Sequence, residues 1–424
     1  MEQSHFTTAV LIFAVTYGAI ISEKINRTAV ALFGAVLMLV MQVMNQHDVL
    51  EHVDFNTIGL LIGMMIMVNV MKRSGVFEYL AIKAAKISKG NPWRILVLFS
   101  IITAVFSALL DNVTTILLIA PVTLVITDTL GVNPVPFLVP EILAANIGGT
   151  ATLIGDPPNI MIGSSVGLGF MDFVVNLAPV VLVIFTITLF LIKIMYKDTF
   201  HNAKSHEELV KNLDEKRTIK DHRLLKKSIF VMIITVIGFV IHEHVGLESA
   251  TVALFGGALL LLISKLDPEE ILLEVEWPTI FFFVALFILV GALEKVGLID
   301  SLAKVMLNFT KGDLFFTCIL VLWVSAIASA FLDNIPFVAT MIPLIKSIGA
   351  ISTMDISVLW WALALGACLG GNGSLVGASA NVIVSGMLKK HGNEISFVEY
   401  LKVGFPMMIV SVVISTGYLI VFYL

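Results

Sequence analysis

The chain of 424 residues has little charge, little cysteine and no basic excess. Asp, Glu, Lys and Arg together make up 13% of it, against ~25% in ordinary soluble domains. A soluble domain of this size needs more polar surface than that, so a soluble enzyme and a disordered chain are both excluded. A net charge of −5 removes the basic footprint of a nucleic-acid binder. Two cysteines, Cys318 and Cys368, are too few for a disulfide framework or a Cys-based metal site. Both lie in apolar runs and read as small buried hydrophobes. There is no P-loop motif. Gly167-Leu168-Gly169 lacks the third glycine of a dinucleotide loop, and His242-Glu243-His244 lacks metalloprotease spacing. No Lys or Arg precedes the first apolar run, which is therefore expected to persist as a helix rather than to act as a cleaved signal.

What the chain does have is apolar length: 58% of its residues are hydrophobic. Runs approaching the ~20 residues of a membrane span recur throughout. They predict an all-α polytopic membrane protein with spanning helices near 6–22, 28–45, 56–71, 172–195, 228–243, 249–265, 278–293 and 401–423. Four stretches differ. Segments 95–130 and 317–350 are pairs of apolar arms around Asp-Asn, expected as re-entrant hairpins. Segments 137–165 and 359–388 are interrupted by Gly, Thr, Ser and Asn, and are expected as broken helices. Irregular backbone at membrane depth survives only where protein buries it or where it lines a cavity.

This reading gives about ten crossings. With the N-terminus outside, the inner segments 23–27, 72–94, 193–227, 265–277 and 389–402 hold all but Lys295, Lys304, Lys311 and Lys346 of the 26 basic residues. The positive-inside rule supports that count and places both termini outside a plasma membrane. Spanning hairpin arms would leave 193–227 on the same side.

The two halves match at one offset of 222 residues. Val30-Ala31-Leu32-Phe33-Gly34 returns as Val252-Ala253-Leu254-Phe255-Gly256, Asp111-Asn112 as Asp333-Asn334, and Pro121 as Pro343. Gly148-Gly149, Gly155 and Asn159 return as Gly370-Gly371, Gly377 and Asn381. Greasy helices match Val to Val by chance, but not Gly, Pro and Asp-Asn in one register. We therefore expect repeats over 1–195 and 228–424, joined by a polar cytoplasmic linker, 196–227. Five crossings per copy would insert the second one upside down, as in secondary transporters with a site at discontinuous helices.

Candidate site residues follow from that pattern. Carboxylates at membrane depth are costly, so Asp111 and Asp333 point to function, the alternative being Asx-turns that shape the tips. Gly148-Gly149 can unwind a helix, and Asp156-Pro157 signals a new helix start. Asp156 is therefore either a cap or a proton or cation site. Ala378 stands at the corresponding place in the second copy, so the half-sites differ.

The paired Asp-Asn motifs and Gly148-Gly149-Thr150-Ala151-Thr152-Leu153-Ile154-Gly155-Asp156-Pro157-Pro158-Asn159 resemble the ion transporter superfamily. The nearest branch is that of arsenite-pump membrane proteins, NhaD-type sodium/proton antiporters and the melanosomal P protein. The resemblance implies coupling-ion sites at Asp111, Asn112 and Gly149 and at Asp333, Asn334 and Gly371, joined by Asp156, Asn159 and Asn381. It implies substrate contacts at Asn112, Thr150, Thr152, Asn334, Asn372 and Ser374. It also implies a transport domain moving against a scaffold that often forms a homodimer. Dicarboxylate members of the superfamily carry Ser-Asn-Thr at the tips. Here Asp111-Asn112-Val113 and Asp333-Asn334-Ile335 lose those hydroxyls, which counts against dianions.

The expected function is secondary transport without a cofactor, driven by H⁺ or Na⁺, with arsenite-type efflux leading. Na⁺/H⁺ antiport and carboxylate uptake are the alternatives, and a soluble ATPase partner is compatible with the sequence. No Lys or Arg lies at the hairpin tips or the glycine breaks, which favours a neutral solute.

Overall fold

The computed structural model describes residues 2–22, 24–197, 208, 210 and 215–424. The described residues fold into α-helices joined by short turns. In the first half these are α1 (Glu2–Ile21), α2 (Arg27–Val40), α3 (Gln46–His52), α4 (Phe55–Lys72), α5 (Val76–Ile87), α6 (Pro92–Leu109), α7 (Asn112–Leu130), α8 (Val135–Thr150), α9 (Pro157–Val166) and α10 (Phe170–Met195). The second half repeats them as α11 (His222–Ile241), α12 (Ser249–Ser264), α13 (Pro268–Leu273), α14 (Trp277–Lys295), α15 (Leu298–Thr310), α16 (Leu314–Phe331), α17 (Asn334–Ile351), α18 (Ser357–Gly370), α19 (Ser379–Lys390) and α20 (Phe397–Phe422). From α2 to α9, every helix starts 222 residues before its mate.

Among the described residues, nine helices of 18 or more residues are apolar enough to cross a membrane by length and composition. All eight predicted spans are helices, and all four irregular stretches are helix pairs. Of the linker expected over 196–227, residues 198–207, 209 and 211–214 lie outside the described residues. Its far end is already helical, because Asp221 caps α11 by accepting from Arg223 N and Leu224 N. Four short helices, α3, α5, α13 and α15, fall below the length a search for spans registers. α5 and α15 each start from a left-handed glycine, Gly75 and Gly297 at φ 80° and 78°.

α8 and α18 run through the centre of the molecule, with every residue from Pro136 to Thr150 and from Val358 to Gly370 buried. Helices apolar all round belong in such a core. Outward-facing Leu182, Phe190, Leu262 and Val421 are exposed, a surface suited to acyl chains.

Close packing at one register positions the breaks. A Cβ on Gly148 would lie 2.2 Å from Ala104 O, and one on Gly370 2.6 Å from Ala326 O. Thr152 donates to Ala108 O and Ser374 to Ala330 O, both at 2.5 Å. Each of these pairs is 44 residues apart. A constant separation means that α6 runs parallel to α8, and α16 to α18. α7 and α17 then return antiparallel, so each hairpin tip lies level with a break.

Candidate functional site

The two tips use their acids differently from the broken helix. Asp111 is a true cap of α7, accepting from Thr114 N at 2.7 Å. Asp333 caps α17 by accepting from Ile335 N at 3.1 Å. Asp156 holds the cap position of α9 with extended backbone, yet its side chain makes no capping bond. Its Oδ1 instead accepts from Asn334 Nδ2 of the other half at 3.3 Å, and its Oδ2 has no partner. The residue is 1% exposed. The helix-start pattern is thus correct, while the capping bond it suggests is absent. Asp111 and Asp333 are both near enough to act electrostatically on Asp156.

The remaining candidate residues converge on the same buried region. Asn159 donates to Thr150 O at 3.1 Å and to Thr152 O at 2.9 Å, and its mate Asn381 to Gly371 O at 2.7 Å and Ser374 O at 2.8 Å. These amides occupy carbonyls that the unwound glycines release. Close approach explains the glycines themselves, since a Cβ on Gly149 would lie 2.4 Å from Gly155 O. The hydroxyl of Thr150 donates to Asn146 O at 2.7 Å. With Thr152 and Ser374, three candidate hydroxyl protons are therefore committed to backbone. Asn112 donates to Asn146 at 3.1 Å, leaving Asn112 Oδ1 and Asn372 Nδ2 without partners.

Sequence reasoning passed over Asn146, which joins the halves. Its Nδ2 donates to Asn372 Oδ1 at 2.9 Å and Asn381 Oδ1 at 3.1 Å. At the corresponding place in the second copy stands Cys368, whose thiol faces Asn159 Oδ1 at 3.4 Å. The Asn146–Asn381 and Cys368–Asn159 contacts exchange under the repeat, as a two-fold relation requires. The signal available was a lone Asn in an apolar helix. Glu141 was also missed. It is fully buried, accepts from Thr123 at 2.7 Å and keeps Oε2 unpaired.

One expectation is corrected. A basic residue does reach the site: Arg27 Nη1 donates to Asp333 Oδ2 at 2.5 Å and to Ser379 Oγ at 2.9 Å, with its guanidinium over the Phe282 ring. Arg27, Asp333 and Ser379 all line a cavity of about 580 Å³ whose lining is mostly apolar. Both partners are partly solvated, so the pair is worth less than a buried one. Arg27→Gln leaves Asp333 uncompensated and is expected to slow transport ~10-fold, equivalent to ~1.4 kcal/mol. Arg27→Gln with Asp333→Asn should recover most of the rate in vesicle flux assays. A double variant as slow as the single one would show that Arg27 acts otherwise.

Residues 17–366 match the CitMHS family, described as citrate transporters. A 46 kDa membrane protein of Mycobacterium leprae is 42% identical over 423 residues, 98% of each chain. An uncharacterized transporter of Mycobacterium tuberculosis is 43% identical over 417 residues, 97% of each chain. The chain belongs to the citrate-transporter family. It is a multi-pass secondary transporter of that family. The P protein of Mus musculus is 33% identical over 99% of this chain but only 60% of its own length. Among solved structures, the YdaH transporter of Alcanivorax borkumensis shares the fold at a TM-score of 0.60 and 11% identity, covering 87% of this chain and 86% of that one.

Proposed function

We propose that this transporter couples H⁺ or Na⁺ to the efflux of a small neutral inorganic solute of the arsenite type. Asp156 holds the coupling ion, and the protein sits in the plasma membrane with both termini outside. One observation carries the reading. Around the break and tips stand Asp111, Asp156 and Asp333 against the single base Arg27, and of these three acids Asp156 is the one with a fully buried oxygen that lacks a hydrogen bond of good geometry, with only the weakly donating Cys368 thiol nearby. A buried lone oxygen of this kind calls for a proton or a cation. A dicarboxylate would instead meet a net negative surround whose one guanidinium is already paired, whereas arsenite is uncharged at neutral pH.

The level match of tip and break supports re-entrant hairpins. Beyond the break, α9 adds ten residues, or ~15 Å, on the far side of the tip. Na⁺/H⁺ antiport is the second reading, favoured because the hydroxyls of Thr150, Thr152 and Ser374 all donate to backbone and leave few free donors for a solute.

Purified protein in liposomes, with imposed Na⁺ or pH gradients and a panel of arsenite, Na⁺ and citrate, separates these readings. We expect arsenite to move in response to a gradient. Arsenite flux equal to that of empty liposomes, with Na⁺/H⁺ exchange present, would favour the second reading. Gradient-driven citrate flux would overturn both.

A further inference from the structure

The two hairpin tips are held by different partners, and the difference traces to one position. In the first half the tip amide Asn112 donates to Asn146 Oδ1 at 3.1 Å. In the second half its mate Asn334 donates instead to Asp156 Oδ1 at 3.3 Å. The mate of Asn146 is Cys368. Its thiol copies the donor half of Asn146. Asn146 Nδ2 serves Asn372 and Asn381, and Cys368 lies against Thr150 and Asn159, the mates of those two residues. The acceptor half is not copied, because cysteine has no side-chain carbonyl and its sulfur accepts weakly.

Asn334 therefore lacks an amide oxygen where Asn112 has one, and it turns to a carboxylate. The first tip has no acid in that place, since the mate of Asp156 is Ala378. Asn112, Asn146, Asn334, Asp156 and Cys368 are all buried, so each bond counts for more than it would at a surface. The two bonds also respond differently to an ion. Asn112–Asn146 joins neutral amides, which neither gain nor lose charge. Asn334–Asp156 joins an amide to a carboxylate, and a charge-assisted bond is roughly twice as strong as a neutral one. A proton or cation at Asp156 removes that advantage. The charges acting on Asp156 from the tips, Asp111 and Asp333, cap their own helices, and Arg27 pairs with Asp333.

We propose that Cys368 is a positioning residue: by offering no carbonyl it hands the tip amide of Asn334 to Asp156, so that the second hairpin tip alone is tied to the coupling-ion site. The meaning of that tie for transport rests on the proposed role of Asp156, but the inequality of the two tips does not.

Thiols placed beside the tip amides test it. Cys318 and Cys368 are fully buried, so the wild-type background is low. Ile335→Cys and Val113→Cys stand at equivalent places, one residue beyond Asn334 and Asn112. Each full-length variant is alkylated with N-ethylmaleimide at low and at saturating H⁺ or Na⁺, with rates normalised to a free thiol in the same buffer. The ion should speed reaction at Ile335→Cys by ~5-fold and leave Val113→Cys unchanged. Adding Cys368→Asn gives the second copy the acceptor that the first one has, and should erase the ion effect at Ile335→Cys. Adding Cys368→Ala, which offers neither donor nor carbonyl, should keep it. In vesicles Cys368→Asn should lose most of its ion-driven accumulation while downhill solute exchange continues. An equal ion effect at the two tips, or its loss in Cys368→Ala as in Cys368→Asn, would overturn the proposal. If Cys368→Asn fails to accumulate, Asn334→Ala removes the same bond from the other end and should erase the ion effect equally. Tip labelling as described, combined with normal coupling in Asp156→Asn, would retain the link and dismiss Asp156 as the coupling site.

Discussion

Asp156→Asn is expected to abolish gradient-driven solute accumulation in liposomes, by ~100-fold or more, while the protein stays folded. Asparagine has the same shape and can still accept from Asn334, so packing at 1% exposure is kept. It cannot gain and release a proton at neutral pH, nor balance a cation's charge. The α9 helix should not suffer, because the Asp156 side chain makes no capping bond to lose. Asp111→Asn is the instructive control. Asp111 does cap its helix, through Thr114 N, and asparagine caps about equally well, so a small change in both stability and transport is expected. Accumulation by Asp156→Asn at wild-type rates would remove the carboxylate from the mechanism.

Gly155→Ala should be the most damaging of the small substitutions. A Cβ there would lie 2.5 Å from Gly149 O, 2.7 Å from Gly149 Cα and 2.7 Å from Ser107 O. All three are backbone atoms, so no rotamer change relieves the clash. The unwound segment and the hairpin helix beside it must move apart. We expect a loss of ~3 kcal/mol, read as a fall in Tm of roughly 3–4 °C in detergent, together with loss of transport. Gly417→Ala provides the contrast, since nothing lies within 4 Å of its added Cβ. In that helix interior alanine should be neutral or stabilising by up to ~1 kcal/mol. Equal Tm values for the two variants would refute the close-approach account of the break.

Much of this architecture was legible because the chain repeats. Asp111-Asn112 and Asp333-Asn334 announce the tips, and the helix starts from α2 to α9 keep the same 222-residue offset. The breaks were legible because glycine pairs interrupt long apolar runs. Other features were hidden for physical reasons. Arg27 lies 306 residues from Asp333 in sequence, and only the folded packing of α2 against α14 brings them together. Asn146 escaped because its mate is Cys368. A comparison by identity passes over a position where chemistry changes but place is kept. α5 and α15 are too short for a search tuned to membrane thickness. The residues around Asp156 left it open between a cap and an ion site, since Asp before Pro describes a helix start whether or not the carboxylate caps it.

The central claim is that ion and solute are exchanged in opposite directions through one two-fold site. Simultaneous recording of solute flux and of internal pH or Na⁺ in the same liposome population tests it most directly. The account predicts that an outward solute gradient alone drives H⁺ or Na⁺ inward, and that Asp156→Asn abolishes this ion movement. Solute flux that runs down its own gradient with no accompanying ion movement, in the wild-type protein, would contradict it.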